Sequence, residues 1–217
     1  MDNVMQPPAG PGAARRDSTA AILAAAEQVF SRRGFDGARM AEIAAASGLP
    51  KANLHYYFGT KERLYAAVLE GIIRQWLDTA AAWFLPERDP AEALAGYVRA
   101  KLADARRRPG ASRIFAGELL RGAPLLLPFL ADELPRRVAE MGVVIGHWAA
   151  RGAIDAVVPA HLFICIWAMT QTYADFDVQV RAVLGPEADE ETIFAAAEAT
   201  VTRLVLRGCG LRDGVRP

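Results

Sequence analysis

The stretch "SGLPKANLHYYFGTKERL", Ser47 to Leu64, decides the fold. It sets a histidine and three aromatic rings in four consecutive positions, His55 to Phe58, between Gly48 and Gly59. Four adjacent rings cannot all face one core. At roughly 100° per residue on a helix, Leu54 and Phe58 lie about 40° apart and define an inner face. Tyr56 and Ala52 then point nearly the opposite way, and Asn53, His55 and Tyr57 sit on the flanks.

Working outward, "AEIAAA" (Ala41 to Ala46) is a short helix of small residues that permits close approach of a neighbour. Gly48 supplies the positive φ of a sharp helix-to-helix turn. Ile43, Leu49, Leu54 and Phe58 are the expected buried pins of a helix-turn-helix. Upstream, Ile22, Ala26, Val29 and Phe30 form one stripe at helical spacing, which predicts a helix from Ser18 to Arg33. Asp17 or Ser18 is its expected cap and Gly34 its stop. Downstream, Thr60 caps a long helix through "KERLYAAVLEGIIRQWLDTAAAWF". The outward face of the Lys51–Phe58 helix carries hydroxyls, an amide and an imidazole beside Lys51. These groups bond phosphate oxygens and base edges, and Ala52 lets the backbone come close to a groove floor. Lys61 opens the next helix, where free N–H groups and the dipole also favour a phosphate. The competing reading is a surface helix whose rings pack on a neighbour.

The rest of the chain shows no alternating run bounded by hairpin turns and no repeat. Further helices are expected at Pro90–Arg108, Ala111–Arg121, about Asp132–Arg151, His161–Leu184 and Asp189–Arg207, punctuated by Pro and Gly. The expected class is all-α with about nine helices. Residues 1–16 read as a disordered arm, 17–62 as a helix-turn-helix domain and 63–217 as a larger helical domain. Of 217 residues, 53% are hydrophobic, enough for real cores, and net charge is zero. From Arg15 to Arg63, eight Lys/Arg face five Asp/Glu, a local excess of three that is compatible with a phosphate backbone without demanding one. Two cysteines argue against a disulfide-built secreted domain, and Cys165 reads as a small core residue. No apolar run reaches the length of a membrane span, so a cytoplasmic protein is expected. The three histidines lie far apart, and no nucleophile, phosphate-loop or metal motif occurs, so no catalytic residue, metal or cofactor is expected.

The run "AILAAAEQVFSRRGFDGARMAEIAAASGLPKANLHYYFGTKERLYAAVL", Ala21 to Leu69, resembles the DNA-binding region of TetR-family transcriptional regulators. The matching features are Phe-x-x-x-Gly-Phe closing the first helix, Glu-Ile-Ala on the second and Ala-Ser-Gly-Leu in the turn. Leu-x-Tyr-x-Phe on the third helix and Lys-Glu-x-Leu opening the fourth complete them. The resemblance implies that the third helix enters the major groove and that a homodimer reads a palindrome in double-stranded DNA. By motif position, Lys51, Ala52, Asn53, His55, Tyr56, Tyr57 and Lys61 would face DNA, with Arg39 and Met40 touching backbone. Three departures stand out. His55 replaces a common Tyr, which would make that phosphate contact pH-sensitive. Pro50 replaces a capping Ser, and Met40 a Thr.

The second half contains an expected pocket. Ile164, Trp167, Thr170, Gln171, Ala174 and Val178 form one stripe, and an inward amide beside a Trp needs partners. It is either a satisfied core amide or the polar edge of a ligand pocket with an aromatic wall. Glu118 and Asp175 would join it or be salt-bridged elsewhere. Similarity extends through "RPGASRIFAGELLRGAPLL" (Arg108–Leu126) and "IWAMTQTYADFDVQVRAVLG" (Ile166–Gly185) to the pyrimidine-utilisation regulators of the family, which respond to uracil and thymine. A small planar effector of pyrimidine type is thereby implied. From their chemistry, Trp76, Phe115, Glu118, Leu119, Trp167, Gln171 and Tyr173 are the expected ligand-binding residues. An unrelated hydrophobic effector, or none, is the alternative. The last two expected helices are the dimer candidates, with Ile193, Ala197, Thr200, Val201, Leu204 and Val205 on one face of the final one.

Overall fold

The computed structural model describes residues 11–211, with side chains from residue 15 onward. Among the described residues there are ten α-helices, one π turn and no strand. The chain divides into two units, Met1–Glu70 and Gly71–Pro217.

The first unit holds α1 (Pro11–Gly37), α2 (Met40–Ser47), α3 (Lys51–Phe58) and the start of α4 (Lys61–Trp83). The first ten positions of the expected arm lie outside the described residues. The remainder is a correction: the chain is helical from Pro11, so Asp17 and Ser18 stand inside α1 rather than capping it. The stripe of Ile22, Ala26, Val29 and Phe30 is fully buried. Tyr65 of α4 closes that core, edge-on to Phe30 at 4.8 Å and tilted against Phe35 at 5.0 Å. At Gly34 the backbone leaves the helix with φ 67°, as its position after the last apolar residue predicts. Gly48 ends α2 in the left-handed region, φ 68° and ψ 12°, a conformation that strains any residue with a Cβ. Ile43 and Leu54 are fully buried on either side of that turn, and Leu49 and Phe58 are half-buried.

The second unit is built around α5 (Pro90–Arg107), which packs against α8 (Pro159–Asp175) and α10 (Glu190–Gly208). Asp89 caps α5 by accepting from the Ala91 and Glu92 N–H groups at 3.0 and 3.1 Å, and Pro90 takes the first helical position. Ala93, Leu94, Tyr97, Val98 and Leu102 give α5 its buried face. Phe84, just past α4, lies edge-on to both Tyr97 (5.2 Å) and Phe163 (5.0 Å). Trp148 of α7 (Leu134–Ala150) is fully buried and donates its indole N–H to the Pro86 carbonyl at 3.3 Å. The elements α6 (Pro109–Leu120) and a π turn (Phe129–Glu133) come before α7, and α9 (Asp177–Leu184) follows α8.

Several expectations are corrected here. The single helix expected from His161 to Leu184 is two, because the backbone breaks at Phe176 (φ −122°, ψ 39°) without a Gly or Pro. The inward row of α8 is Phe163, Ile166, Thr170 and Ala174; Ile164 is 54% exposed, and Val178, out of phase on α9, is exposed. On α10 the expected single face divides. Ile193, Ala197, Val201 and Val205 are buried in the chain's own core, while Leu204 and Thr200 face outward. Cys165 is exposed and Cys209 buried. No helix among the described residues is long and apolar enough to cross a membrane.

Candidate nucleic-acid interface and ligand pocket

On α3, Lys51, Ala52, His55 and Tyr56 are exposed, and Asn53 and Tyr57 are half-buried. Tyr56 is 75% exposed, the more open of the two tyrosines. Its ring meets Tyr57 edge-on at 5.1 Å, and the Arg15 guanidinium lies over Tyr57 at 6.0 Å. The His55 Nδ1 pairs with the Gly59 carbonyl at 2.9 Å, which steadies the imidazole at the end of the helix. Pro50 gives α3 no side-chain cap, so its leading N–H groups have no side-chain acceptor, and its first turn carries no acid. Arg39, exposed, precedes α2, and Met40, half-buried, begins it.

Lys61 departs from the expectation. Its ammonium points back to the end of α1, donating to the carbonyls of Phe35, Asp36 and Ala38 at 2.9, 3.4 and 3.2 Å. It also sits 4.5 Å from the Phe35 ring centroid. All three ammonium donors are engaged inside the unit. The start of α4 is likewise occupied. Thr60 Oγ1 accepts from the Arg63 N–H at 3.3 Å, and the Glu62 carboxylate is held below its ordinary range by its own backbone N–H and the Thr60 hydroxyl. An anion is already supplied there by the chain itself.

The second unit contains a cavity of about 520 Å³, mouth included. Four expected residues line it: Trp76, Phe115, Trp167 and Gln171. Trp76 and Phe115 meet edge to face at 5.1 Å and make one wall. Trp167 is oriented by donating its indole N–H to the Tyr97 hydroxyl at 2.8 Å. Burial pushes the Tyr97 phenol far above its ordinary range, so it stays protonated. Thr170, expected to join Gln171, instead bonds the Ile166 carbonyl of its own helix at 2.8 Å.

Three expected ligand residues are not part of this cavity. Glu118 is fully buried but committed to the loop after α6. It accepts from the Leu125 N–H at 2.7 Å and pairs with Arg121, bracing a turn in which Gly122 and Ala123 both have positive φ. Leu119 is 41% exposed. Tyr173 packs on Phe194 of α10, ring centroids 5.8 Å apart.

Sequence reasoning missed Tyr97 and Lys101 of α5, Phe129 of the π turn, and Leu134 and Met141 of α7. Only Lys101 carried a signal, since it falls in helical register with the apolar Leu94, Tyr97 and Val98 of α5. Its side chain is 4% exposed, with the ammonium 4.1 Å from the Trp76 ring centroid. Burial lowers its pKa to about 8, against the opposing pull of Asp104 and Asp175. Asp104 accepts from Gln75 (3.3 Å) and Arg107 (3.0 Å) through one oxygen, and its other oxygen is buried without a partner. Asp175 has its carboxyl pushed upward by burial, opposed by Ser112, Lys101 and Arg113. One of its oxygens and the Ser112 hydroxyl are buried without closing a hydrogen bond of normal geometry. Among the described residues no group of three His, Cys, Asp or Glu is placed to hold a metal.

Comparison with known proteins agrees with this division. Residues 22–68 match the profile of bacterial regulatory proteins of the tetR family, and residues 69–212 match the YcdC-like protein C-terminal region. The HTH-type transcriptional regulator RutR of Escherichia coli K12 is 42% identical over 197 residues, covering 91% of this chain and 90% of its own. The HTH-type transcriptional repressor NicS of Pseudomonas putida is 40% identical over 77 residues, 36% of each chain. Among solved structures, a tetR-family bacterial regulatory protein from Rhodococcus RHA1 superposes with TM-score 0.72 at 21% identity, covering 90% of this chain and 98% of its own. A TetR-family regulator from Marinobacter aquaeolei VT8 gives 0.63 at 22% identity, covering 87% and 95%. At those identities the structural likeness speaks for the fold alone.

Proposed function

The chain belongs to the TetR family and is a DNA-binding transcriptional regulator, not an enzyme; from that premise we propose that it is a homodimeric repressor of a palindromic operator, released by a small planar ligand of pyrimidine type such as uracil. The observation that carries the DNA half is the joint exposure of Lys51, Ala52, His55 and Tyr56 on one face of α3, behind a left-handed glycine turn. Arg39, Met40, Asn53 and Tyr57 flank that face, and α3's uncapped N–H groups offer donors to a phosphate. Lys61 contributes by holding the end of α1. The regulator acts where the duplex is, in the cytoplasm.

The ligand half rests on three aromatic rings around one amide. Trp76, Phe115 and Trp167 suit the faces and edges of a flat ring, and Gln171, both donor and acceptor, matches alternating C=O and N–H groups. An apolar effector would also fit Ile73, Leu77, Ala80, Leu134 and Met141, and is the second reading.

The dimer face we assign is the outward side of α8 and α10. Ile164 and Leu204 are more than half exposed there, with Cys165, Ala168 and Thr200 beside them. Two copies place two α3 helices on successive major grooves, which one short helix-turn-helix cannot match in affinity. The coupling runs through α4, which begins in the first unit and carries Ile73, Trp76, Leu77 and Ala80 of the cavity wall. Ligand favours an α4 position that alters the spacing of the two heads. A coupling of about 1–3 kcal/mol changes DNA affinity roughly 5- to 150-fold.

The test combines His55→Ala with Tyr56→Phe and measures retardation of duplexes selected by the wild-type protein. We expect retardation to weaken at least about tenfold with ligand-induced thermal stabilisation unchanged. Loss of both would mean that the pair supports folding rather than recognition. A chain that sediments as a monomer at micromolar concentration would remove the palindromic reading.

A further inference from the structure

We infer that Lys101 selects the effector: the cavity takes a flat ring bearing an uncapped oxygen acceptor, a ring carbonyl or a ring carboxylate, which docks on the Lys101 ammonium while Gln171 meets the neighbouring polar atom. This rests on the reading of the cavity as an effector pocket and narrows its ligand class.

The starting point is an unanswered donor set. Lys101 is 96% buried, lines the cavity, and has the Trp76 ring as its neighbour at 4.1 Å. A ring face favours the charge but leaves the three N–H donors without a directional acceptor. Among the described residues, no hydrogen bond or ion pair holds that ammonium. A buried charged donor left so is costly, and structural lysines in cores are normally paired.

Among the described residues, no carboxylate closes a bond to the Lys101 ammonium. Asp104, on the same helix, gives one oxygen to Gln75 and Arg107, and its other oxygen bonds no donor, Lys101 included. Asp175, on α8, lies near Ser112 and Arg113. Both act on Lys101 through space, favouring its charge without bonding to it. The Tyr97 hydroxyl takes the Trp167 indole N–H. The other elements around the cavity bring no charge to its lining: Ile73, Trp76, Leu77 and Ala80 from α4, Phe115 from α6, Phe129 from the π turn, and Leu134 and Met141 from α7. Gln171 is the one remaining polar side chain of the lining. A wholly apolar effector would seal the ammonium away from any acceptor. A ring with an exposed oxygen supplies what is missing, in a medium where a charge-assisted bond is strong. With a pKa of about 8 the lysine is charged at neutrality and loses that charge just above it. Affinity for an oxygen-bearing ring should therefore be flat at low pH and fall as pH passes through that value.

The experiment measures dissociation constants by tryptophan fluorescence for the full chain and for Lys101→Met, with three probes: uracil (ring carbonyls), benzoate (carboxylate) and pyrimidine (no exocyclic oxygen). We expect uracil or benzoate to bind the wild type at least about tenfold more tightly than pyrimidine, and Lys101→Met to abolish that preference. Between pH 6.5 and 9 the wild-type affinity should fall about tenfold, and Lys101→Met should lack that fall. Benzoate keeps one charge throughout this window and so isolates the lysine. Which oxygen probe prevails separates a carbonyl from a carboxylate effector. Equal binding of the oxygen probe by wild type and Lys101→Met overturns the inference and leaves the pocket reading standing. Failure of both oxygen probes to bind wild type overturns the two together. Should Lys101→Met not fold, the wild-type preference for an oxygen probe over pyrimidine decides, and equal affinity for all three probes overturns the inference.

Discussion

The two units hold their candidate functional side chains in opposite ways. In the first, the core of Ile22, Phe30, Ile43 and Leu54 lies behind, and the polar groups of α3 stand outside it in water. In the second, Gln171 and Lys101 sit among Trp, Phe, Leu and Met side chains. An exposed polar group needs no partner within the chain; a buried one does. The head can therefore vary the exposed residues of α3 with little effect on stability. In the body, shape and polarity of the cavity are bound to the packing around it.

That contrast is tested most severely at Gly96, on the buried side of α5. A Cβ there would lie 2.1 Å from the Trp83 ring, whose face is also covered by the Arg88 guanidinium at 4.8 Å. Gly96→Ala gains about 1 kcal/mol of helix propensity. The overlap with the ring outweighs it, and we expect a net loss of about 2 kcal/mol in denaturant unfolding. Gly146→Ala, on α7 with open space around it, should gain a few tenths of a kcal/mol or more, about what propensity alone supplies. Equal effects at the two glycines would mean that the body is more yielding than its packing suggests.

The next effect belongs to the head. Lys61→Met removes the donors to three carbonyls at the end of α1 and should cost about 1–2 kcal/mol of stability, read as an earlier urea midpoint. DNA affinity, measured where the variant is fully folded, should change less than it does for the His55/Tyr56 pair. Unchanged stability with a large loss of DNA binding would return Lys61 to the outward face and blur the contrast between the units.

The same physical difference explains what was legible in the sequence. The head's stripe, turn and outward face follow from helical periodicity and from one glycine conformation, both local properties. Ile22, Ala26, Val29, Phe30, Ile43 and Leu54 are buried as expected, and Gly48 has the positive φ expected of it. Lys61 was misplaced because its partners are carbonyls some 23 to 26 residues earlier, which no local pattern encodes. In the body, Trp76, Phe115, Trp167 and Gln171 were legible as large or polar residues on apolar stripes. Tyr97 and Met141 were not, and Lys101 showed only as a charge in register with apolar residues, because which face of α5 and α7 lines the cavity depends on how those helices pack. Glu118 is the reverse case. Of its two readings, a pocket carboxylate or one salt-bridged elsewhere, the second holds, and the loop it braces, with Ala123 at φ 56°, becomes visible only in three dimensions. The break at Phe176 has no breaker residue to announce it.

The smallest effect on stability, and the sharpest test of how far the body's site is separable from its fold, is Gln171→Leu. The Gln171 side chain lines the cavity, and no hydrogen bond to another described residue anchors its amide. Replacing it with a hydrocarbon of similar size leaves no donor or acceptor newly stranded, so the melting temperature should move by no more than about 2 °C. Operator binding should be kept, while the response to uracil is lost because the ring's polar edge has no counterpart. A large drop in melting temperature would show that the amide is a structural bond of the core. An unchanged uracil titration would place the polar edge of the ligand elsewhere. Retained folding with lost response is the outcome in which the body, like the head, carries a recognition group that its fold does not depend on.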